Sequence, residues 1–288
     1  MTGGMTERER GDQPQTSALR GWRADLAAWA IPDHILAAAP DSPWSMPREV
    51  FLRRTQRRIA EPAGPTYRLA LDALGAGGSV LDVGAGAGAT SLPLAAGLRR
   101  ATAVDTDREL LEAYGGRATR LGIPADLVAG RWPDVAERVP PADVVVCGHV
   151  LYNVADLGPF AAALTVHARR LVVLEITERH PLTPLNPLWE RFHGITRPRR
   201  PIAQDAVAAL CELGLRPAVT RWQSPAEPDY ATLDELAEST RRRLCLPATA
   251  IDEVRTALRE AGTTAEASAE PGASGRSLVT ISWPGTAR

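Results

Sequence analysis

Short apolar runs alternate with helical stripes along most of the chain. Ser79 to Val83 has the length of a buried strand, and further strands are predicted at Ala101 to Val104, Ala125 to Ala129, Asp143 to Cys147, Leu171 to Thr177, Pro217 to Trp222 and Ser277 to Trp283. Helical spacing begins earlier. Ser17 can cap a helix with Leu19, Trp22, Leu26 and Trp29 on one stripe, and such a stripe needs a partner surface. Pro32, Pro47 and Pro65 each suit the first turn of a further helix, the last with Tyr67, Leu71 and Leu74 facing one way. Trp22, Trp29, Trp44 and Phe51 read as ordinary packing residues of this lead-in, with lining of a binding pocket as the alternative. Later helices are predicted over Ala89 to Leu98, after Asp105, and over Ile202 to Leu213, Tyr230 to Cys245 and Ile251 to Ala261. The expected organisation is a disordered N-terminus over 1–15, a helical lead-in or cap over 16–64, a main domain over 65–283 with insertions at about 178–201 and 228–262, and a tail over 284–288.

The first strand runs straight into Gly84-Ala85-Gly86-Ala87-Gly88. Glycines at alternate positions let the backbone turn tightly and approach a ligand closely, and a helix starting at Ala89 would aim its free N–H groups at whatever sits over them. A nucleotide-like cofactor fits such a turn. The dinucleotide fingerprint spaces its glycines Gly-x-Gly-x-x-Gly, whereas here the spacing is Gly-x-Gly-x-Gly, preceded on the strand by Asp82.

That pattern, Asp82-x-Gly84-x-Gly86-x-Gly88, resembles the first motif of the class I S-adenosylmethionine-dependent methyltransferases. The resemblance covers roughly Tyr67 to Trp283. It implies an α/β, Rossmann-like, doubly wound seven-stranded sheet whose last strand is antiparallel and inserts between strands five and six. It also implies S-adenosyl-L-methionine as cofactor and S-adenosyl-L-homocysteine as product. In the family the glycines approach the methionine end of the cofactor, with the strand acid helping to anchor its ammonium group. Asp105 ends the second strand about twenty residues on, as a ribose anchor would, and Thr106 then caps a helix. The alternative for Asp105 is a helix-capping turn residue.

Gly130-Arg131-Trp132-Pro133 occupies the place where many family members carry an acid contacting adenine, which is a departure. Arg131 or Trp132 could stack on adenine instead, or Trp132 could be a packed loop residue. Gly148 and His149 follow the fourth strand and fall opposite the cofactor's sulfonium in the resemblance. His149 is a candidate cofactor contact and a candidate general base, with a hydrogen-bonded packing residue as the plain alternative. The full cofactor set expected is Asp82, Gly84, Ala85, Gly86, Gly88, Asp105, Thr106, Arg131, Trp132, Gly148 and His149. The long connection from Glu178 to Pro201 reads as a binding loop, with a surface flap as the alternative, because structureless connections beyond about 12 to 15 residues are often functional. Tyr152, Trp189, Phe192 and His193 are the expected acceptor-pocket residues, and His193 is a second catalytic candidate.

Composition narrows the chemistry. All 33 basic residues are arginine, which removes Schiff-base, P-loop and protein-kinase mechanisms and the lysine-dependent tetrad of ribose 2′-O-methylation. The Asn/Asp-Pro-Pro-aromatic motif of adenine amino methylases is absent, and Cys147 lacks the proline that precedes a cytosine-C5 nucleophile, so it reads as a buried structural thiol. Catechol-type enzymes would want a magnesium-binding acid where Cys147-Gly148-His149 stands. The three cysteines form no cluster with metal-ligand spacing, so no metal is expected. Net charge is −1, which gives no bulk attraction to nucleic acid or anionic membranes, and no segment has the length of a membrane span. The arginine groups at 48–58 and 241–243 read as solvated helical faces rather than an RNA surface. A cytoplasmic enzyme acting on a small-molecule acceptor at O or N is expected, with the oligomeric state open. The alternatives are an NAD(P)-dependent oxidoreductase, separated by glycine spacing and by whether the last strand is antiparallel, and a non-catalytic S-adenosylmethionine-binding protein.

Overall fold

The computed structural model describes residues 17–44, 47–225, 229–262 and 276–287, so the expected disordered stretch 1–15 lies outside the described residues. In chain order the helices and strands are α1 Ala18–Ala27, α2 Asp33–Ala38, α3 Arg48–Ala60, α4 Pro65–Leu74, β1 Gly78–Val83, β2 Leu98–Asp105, α5 Arg108–Arg120, β3 Ala125–Ala129, β4 Ala142–Gly148, α6 Leu157–His167, β5 Ala168–Thr177, α7 Asn186–His193, α8 Ala203–Glu212, β6 Ala218–Gln223, α9 Leu233–Arg243, α10 Ile251–Glu260 and β7 Ser277–Pro284. The strands form one sheet in the order β3-β2-β1-β4-β5-β7-β6. β1 to β5 pair in parallel, and β7 runs antiparallel to both β5 and β6. This is the class I methyltransferase order, and the antiparallel last strand removes the oxidoreductase alternative.

The central strands read as unbroken apolar runs because both sheet faces are covered. Val144, Val145 and Val146 are all fully buried, successive side chains entering opposite cores. On one face α6, α8 and Trp22 of α1 pack with Leu81, Val145 and Val172. On the other, α4, α5 and the 3₁₀ turn Leu92–Gly97 pack with Val80, Val144 and Val173. No helix among the described residues is long and apolar enough to cross a membrane.

Three regions that look separate in sequence share a third core over the carboxyl edge of the sheet. Ile31, Ile35 and Val50 of the lead-in, Leu185, Leu188 and Trp189 of the long connection, and Tyr230 through Leu258 of the late helices pack together. This cap differs from the expected layout in two ways. α1 leaves the lead-in and docks on α8, because Trp22 is buried in the main core with its indole N–H donating to the Val154 carbonyl at 2.8 Å. The 178–201 connection is not structureless, since it contains α7.

The arginine groups are corrected as well. Arg54 and Arg57 pair with the buried Asp229, Arg53 with Glu235 at 2.7 Å and Arg58 with Glu175 at 2.8 Å, so this part of α3 is an ion-paired seam rather than a solvated face. Arg241 is only 3 % exposed, held between Asp41 and Glu238 at 2.7 Å each. Buried charges need such partners, because desolvation without pairing is expensive.

Candidate active site

The turn after β1 forms the floor of a cavity of about 860 Å³ at the carboxyl ends of the strands. Gly84 (φ +70°) is required by close approach, since a Cβ there would lie 2.2 Å from Val150 Cγ2. Gly86 (φ +51°) differs: a Cβ would meet only Phe51, at 3.9 Å, so its bare face borders the open cavity. The helix expected from Ala89 to Leu98 is instead a turn followed by the short 3₁₀ segment, and Leu98 already belongs to β2. The turn therefore works through its bare backbone and not through a helix dipole.

Gly84, Ala85, Gly86, Asp105, Thr106, Arg131, Trp132, Gly148 and His149 all line this cavity. Asp82 and Gly88 do not. Gly88 faces inward, where a Cβ would strike Leu92 Cδ1 at 2.5 Å. Asp82 is fully buried, accepting from Ser91 Oγ at 2.6 Å, and its Oδ1 has no partner. Burial pushes its pKa up to about 7, against the lowering by the Ser91 hydroxyl. Asp105 accepts from the Gly86 N–H at 2.7 Å and the Asp107 N–H at 2.9 Å, which fixes its carboxylate at the mouth of the turn while each oxygen keeps a further lone pair. The cap of α5 is Asp107 rather than Thr106, because Asp107 Oδ1 accepts from Glu109 N and Leu110 N. Trp132 is a core residue that shows one edge to the cavity, buried against His167.

His149 stands at the junction of this cavity with two others. Among the described residues it is one of two non-glycine positions with positive φ (+60°), a conformation that costs energy and clusters at functional positions. β4–β5 pairing sets Gly148 opposite Glu175, and the His149 N–H donates to the Glu175 carbonyl at 2.7 Å. The His149 ring then reaches Glu175 Oε1 with Nε2 at 3.2 Å, while Arg58 approaches the same oxygen from α3 at 2.8 Å. Burial alone would raise the Glu175 pKa, but Arg58 and His149 hold the carboxyl well below the usual range. Burial also pushes the His149 pKa below its ordinary value, against the pull of Glu175. The result is a neutral imidazole beside a permanent carboxylate, 28 % exposed to the cavities.

A second cavity of about 590 Å³ shares Trp44, Phe51, Arg54, His149 and Asn153 with the first. Trp44 and Phe51 are thus cavity walls rather than plain packing, and Trp44 is 62 % exposed at the lip. Tyr152 and Trp189 line the second cavity as expected from their positions, with Trp29 and His180 stacked at 3.9 Å beside them. Phe192 and His193 do not line it. His193 Nε2 lies 2.6 Å from the Leu244 carbonyl, on the side of α7 turned toward the late helices, and Phe192 packs into the cap core. His193 is therefore a positioning contact between α7 and α9. Sequence reasoning missed Glu175 and the part Arg58 plays beside it, while His180 and Arg197 lie in the 178–201 connection read as a binding loop. Glu175 carried a signal, as a lone acid inside an apolar strand. Cys147 is a buried structural thiol, 0 % exposed.

Residues 80–171, from β1 into β5, match the family model described as a methyltransferase domain. No curated protein matches the sequence. Among solved structures, the chain is similar to the YcgJ protein from Bacillus subtilis, with TM-score 0.49 and 16 % identity, covering 77 % of this chain and 99 % of that one. It is similar to an S-adenosylmethionine-dependent methyltransferase from Thiobacillus denitrificans in complex with S-adenosyl-L-homocysteine, with TM-score 0.47 and 19 % identity over 85 % of this chain and 100 % of that one. It is also similar to magnesium protoporphyrin IX methyltransferase from Synechocystis PCC 6803 with bound S-adenosyl-L-homocysteine, with TM-score 0.47 and 15 % identity over 82 % and 94 %.

Proposed function

We propose, for a chain that belongs to the class I S-adenosylmethionine-dependent methyltransferases, that it methylates a small molecule at oxygen or nitrogen with His149 as the proton acceptor. When bound, the cofactor supplies an electrophilic methyl group on a sulfonium. The residues suited to hold it are the Gly84 to Gly86 backbone, the Asp105 carboxylate and Gly148, and the open face of Gly86 fits a ligand lying directly on the turn.

The observation that carries the reading is the wall shared by the two large cavities, with His149 in it. A cofactor in the first and an acceptor in the second would meet beside that ring. Nε2 lies 3.2 Å from Glu175 Oε1, and with the ring hydrogen on Nε2 the nitrogen that would accept a proton is Nδ1. An acceptor O–H or N–H would give its proton to Nδ1 as its own oxygen or nitrogen takes the methyl, and Glu175 would stabilise the imidazolium that results. Orientation of the acceptor in the second cavity against the cofactor in the first supplies the remainder of the acceleration.

Calorimetry with S-adenosyl-L-homocysteine and with NAD(H) and NADP(H) tests the first half: the former binds and the latter do not. Once a methyl-transfer screen supplies an acceptor, His149→Gln lowers kcat by about a hundredfold or more and leaves S-adenosyl-L-homocysteine affinity within about threefold of the parent. Unchanged turnover in that variant would leave His149 a wall residue only.

A further inference from the structure

The second cavity contains a charge that no carboxylate among the described residues answers. Arg197 is 7 % exposed, and no described Asp or Glu pairs with it. Its Nη1 donates to the Ala30 carbonyl at 2.9 Å and its Nη2 to the Trp29 carbonyl, while Nε is buried without a partner. The guanidinium is fixed in place by rings on both sides, 5.7 Å from the Trp29 centroid and 4.9 Å from that of Trp189. Carbonyl dipoles and aromatic faces offset part of the cost of burying a cation, but a full counter-charge is missing.

The rest of the wall repeats the imbalance. Four arginines line this cavity and no aspartate or glutamate does. Arg54 and Arg276 are paired to Asp229 outside the cavity wall, and Arg243 has its own partner, whereas the described contacts of Arg197 are with carbonyls and rings. His180 completes the arrangement. Its Nδ1 accepts from the Leu182 N–H at 3.3 Å, so the ring hydrogen sits on Nε2 and the side chain offers the cavity a donor. Burial and the Arg197 charge push the His180 pKa down to about 4, so it adds that donor without adding charge. The remaining surface mixes aliphatic side chains with the ring faces of Trp29, Trp44, Phe51, Tyr152 and Trp189, and about 590 Å³ suits one or two fused rings.

We propose that the methyl acceptor is an aromatic carboxylate, its carboxylate taken by Arg197 with His180 beside it and its ring held between the tryptophans of the cap. This rests on the methyltransferase reading and specifies the acceptor class of the same site. A guanidinium binds a carboxylate through parallel N–H donors, and in a dry aromatic pocket that pairing discriminates strongly against a neutral isostere.

The test uses the full chain saturated with S-adenosyl-L-homocysteine, titrated with hydroxybenzoates and hydroxynaphthoates and with their primary amides. Acids bind about thirtyfold tighter than the matched amides in the parent, and in Arg197→Gln the ratio falls to within about threefold while S-adenosyl-L-homocysteine affinity is unchanged. Arg197→Lys keeps the charge without the planar fork and gives an intermediate ratio, which serves if the glutamine variant fails to fold. Amides binding as tightly as acids, no acid binding at millimolar concentration, or an acid preference that survives in Arg197→Gln each overturns the proposal. Loss of S-adenosyl-L-homocysteine binding by the parent would instead sink the methyltransferase reading itself, so the two failures are distinguishable.

Discussion

The pKa of His149 is pulled two ways: burial, joined by the guanidiniums of Arg54 and Arg58, lowers it, and the Glu175 carboxylate opposes that lowering. Glu175→Gln keeps an oxygen that can accept from Nε2 but deletes the charge that raises the pKa, so the pKa falls further. Activity carried by a base is lost as pH drops through that pKa, and the acid limb of the pH–kcat profile therefore moves to lower pH. The plateau also drops, because the imidazolium formed during transfer has lost its counter-charge. A limb that stays in place or moves upward would remove His149 as the base.

At the scale of elements, the Arg58–Glu175 pair joins α3 of the cap to β5 of the sheet, and Thr66 at the start of α4 meets Thr280 of β7 nearby, hydroxyl to hydroxyl at 2.7 Å. Breaking one partner of a pair whose other member is 1 % exposed leaves a buried carboxylate without its guanidinium, with the His149 ring and the Thr66 hydroxyl as its neighbours. Arg58→Met should accordingly destabilise the protein by on the order of 3 kcal/mol in urea unfolding. It also removes a charge that lowers the His149 pKa, so its acid limb moves to higher pH, opposite to Glu175→Gln. Two variants of one ion pair with opposite pH shifts give a signature that general loosening of the cap cannot produce.

For the whole molecule, the cap and the sheet domain meet around the two large cavities, and a ligand filling the first touches α3 as well as the β1 turn and the ends of β2 and β4. Such a ligand stabilises both parts together. S-adenosyl-L-homocysteine at a hundred times its Kd should add about 2.7 kcal/mol. In a chain of this size that corresponds to a rise in Tm on the order of 5 to 10 °C, read in a single transition. NADH at the same concentration should leave Tm unchanged. A Tm insensitive to S-adenosyl-L-homocysteine would contradict the placement of the cofactor on the Gly84 to Gly86 turn.

The sheet was legible from sequence because its causes are local. A strand buried on both faces is a short apolar run wherever it occurs, and a turn packed so closely on Val150 that a Cβ would come within 2.2 Å of its Cγ2 shows a glycine at Gly84. Asp105 was legible for the same reason, as an acid at a strand end a fixed distance beyond the turn. What could not be read is every feature made by residues far apart in sequence. Arg58, His149 and Glu175 come from a helix and two strand ends, and only the β4–β5 register brings them to one point. The arginines of α3 and Arg241 looked like solvent-facing charge because helical spacing reports which positions share a face and not what that face meets. Gly88 and Asp82 fit a cofactor motif in sequence, yet the direction of the turn sends the first toward Leu92 and the second into the core. Phe192 and His193 follow the same rule: one helical turn beyond Trp189, α7 presents them to the cap core instead of the cavity. Local pattern therefore determined the sheet and the glycine turn that floors the first cavity, while long-range packing alone decided the His149, Glu175 and Arg58 cluster and the place of Arg197 in the second cavity.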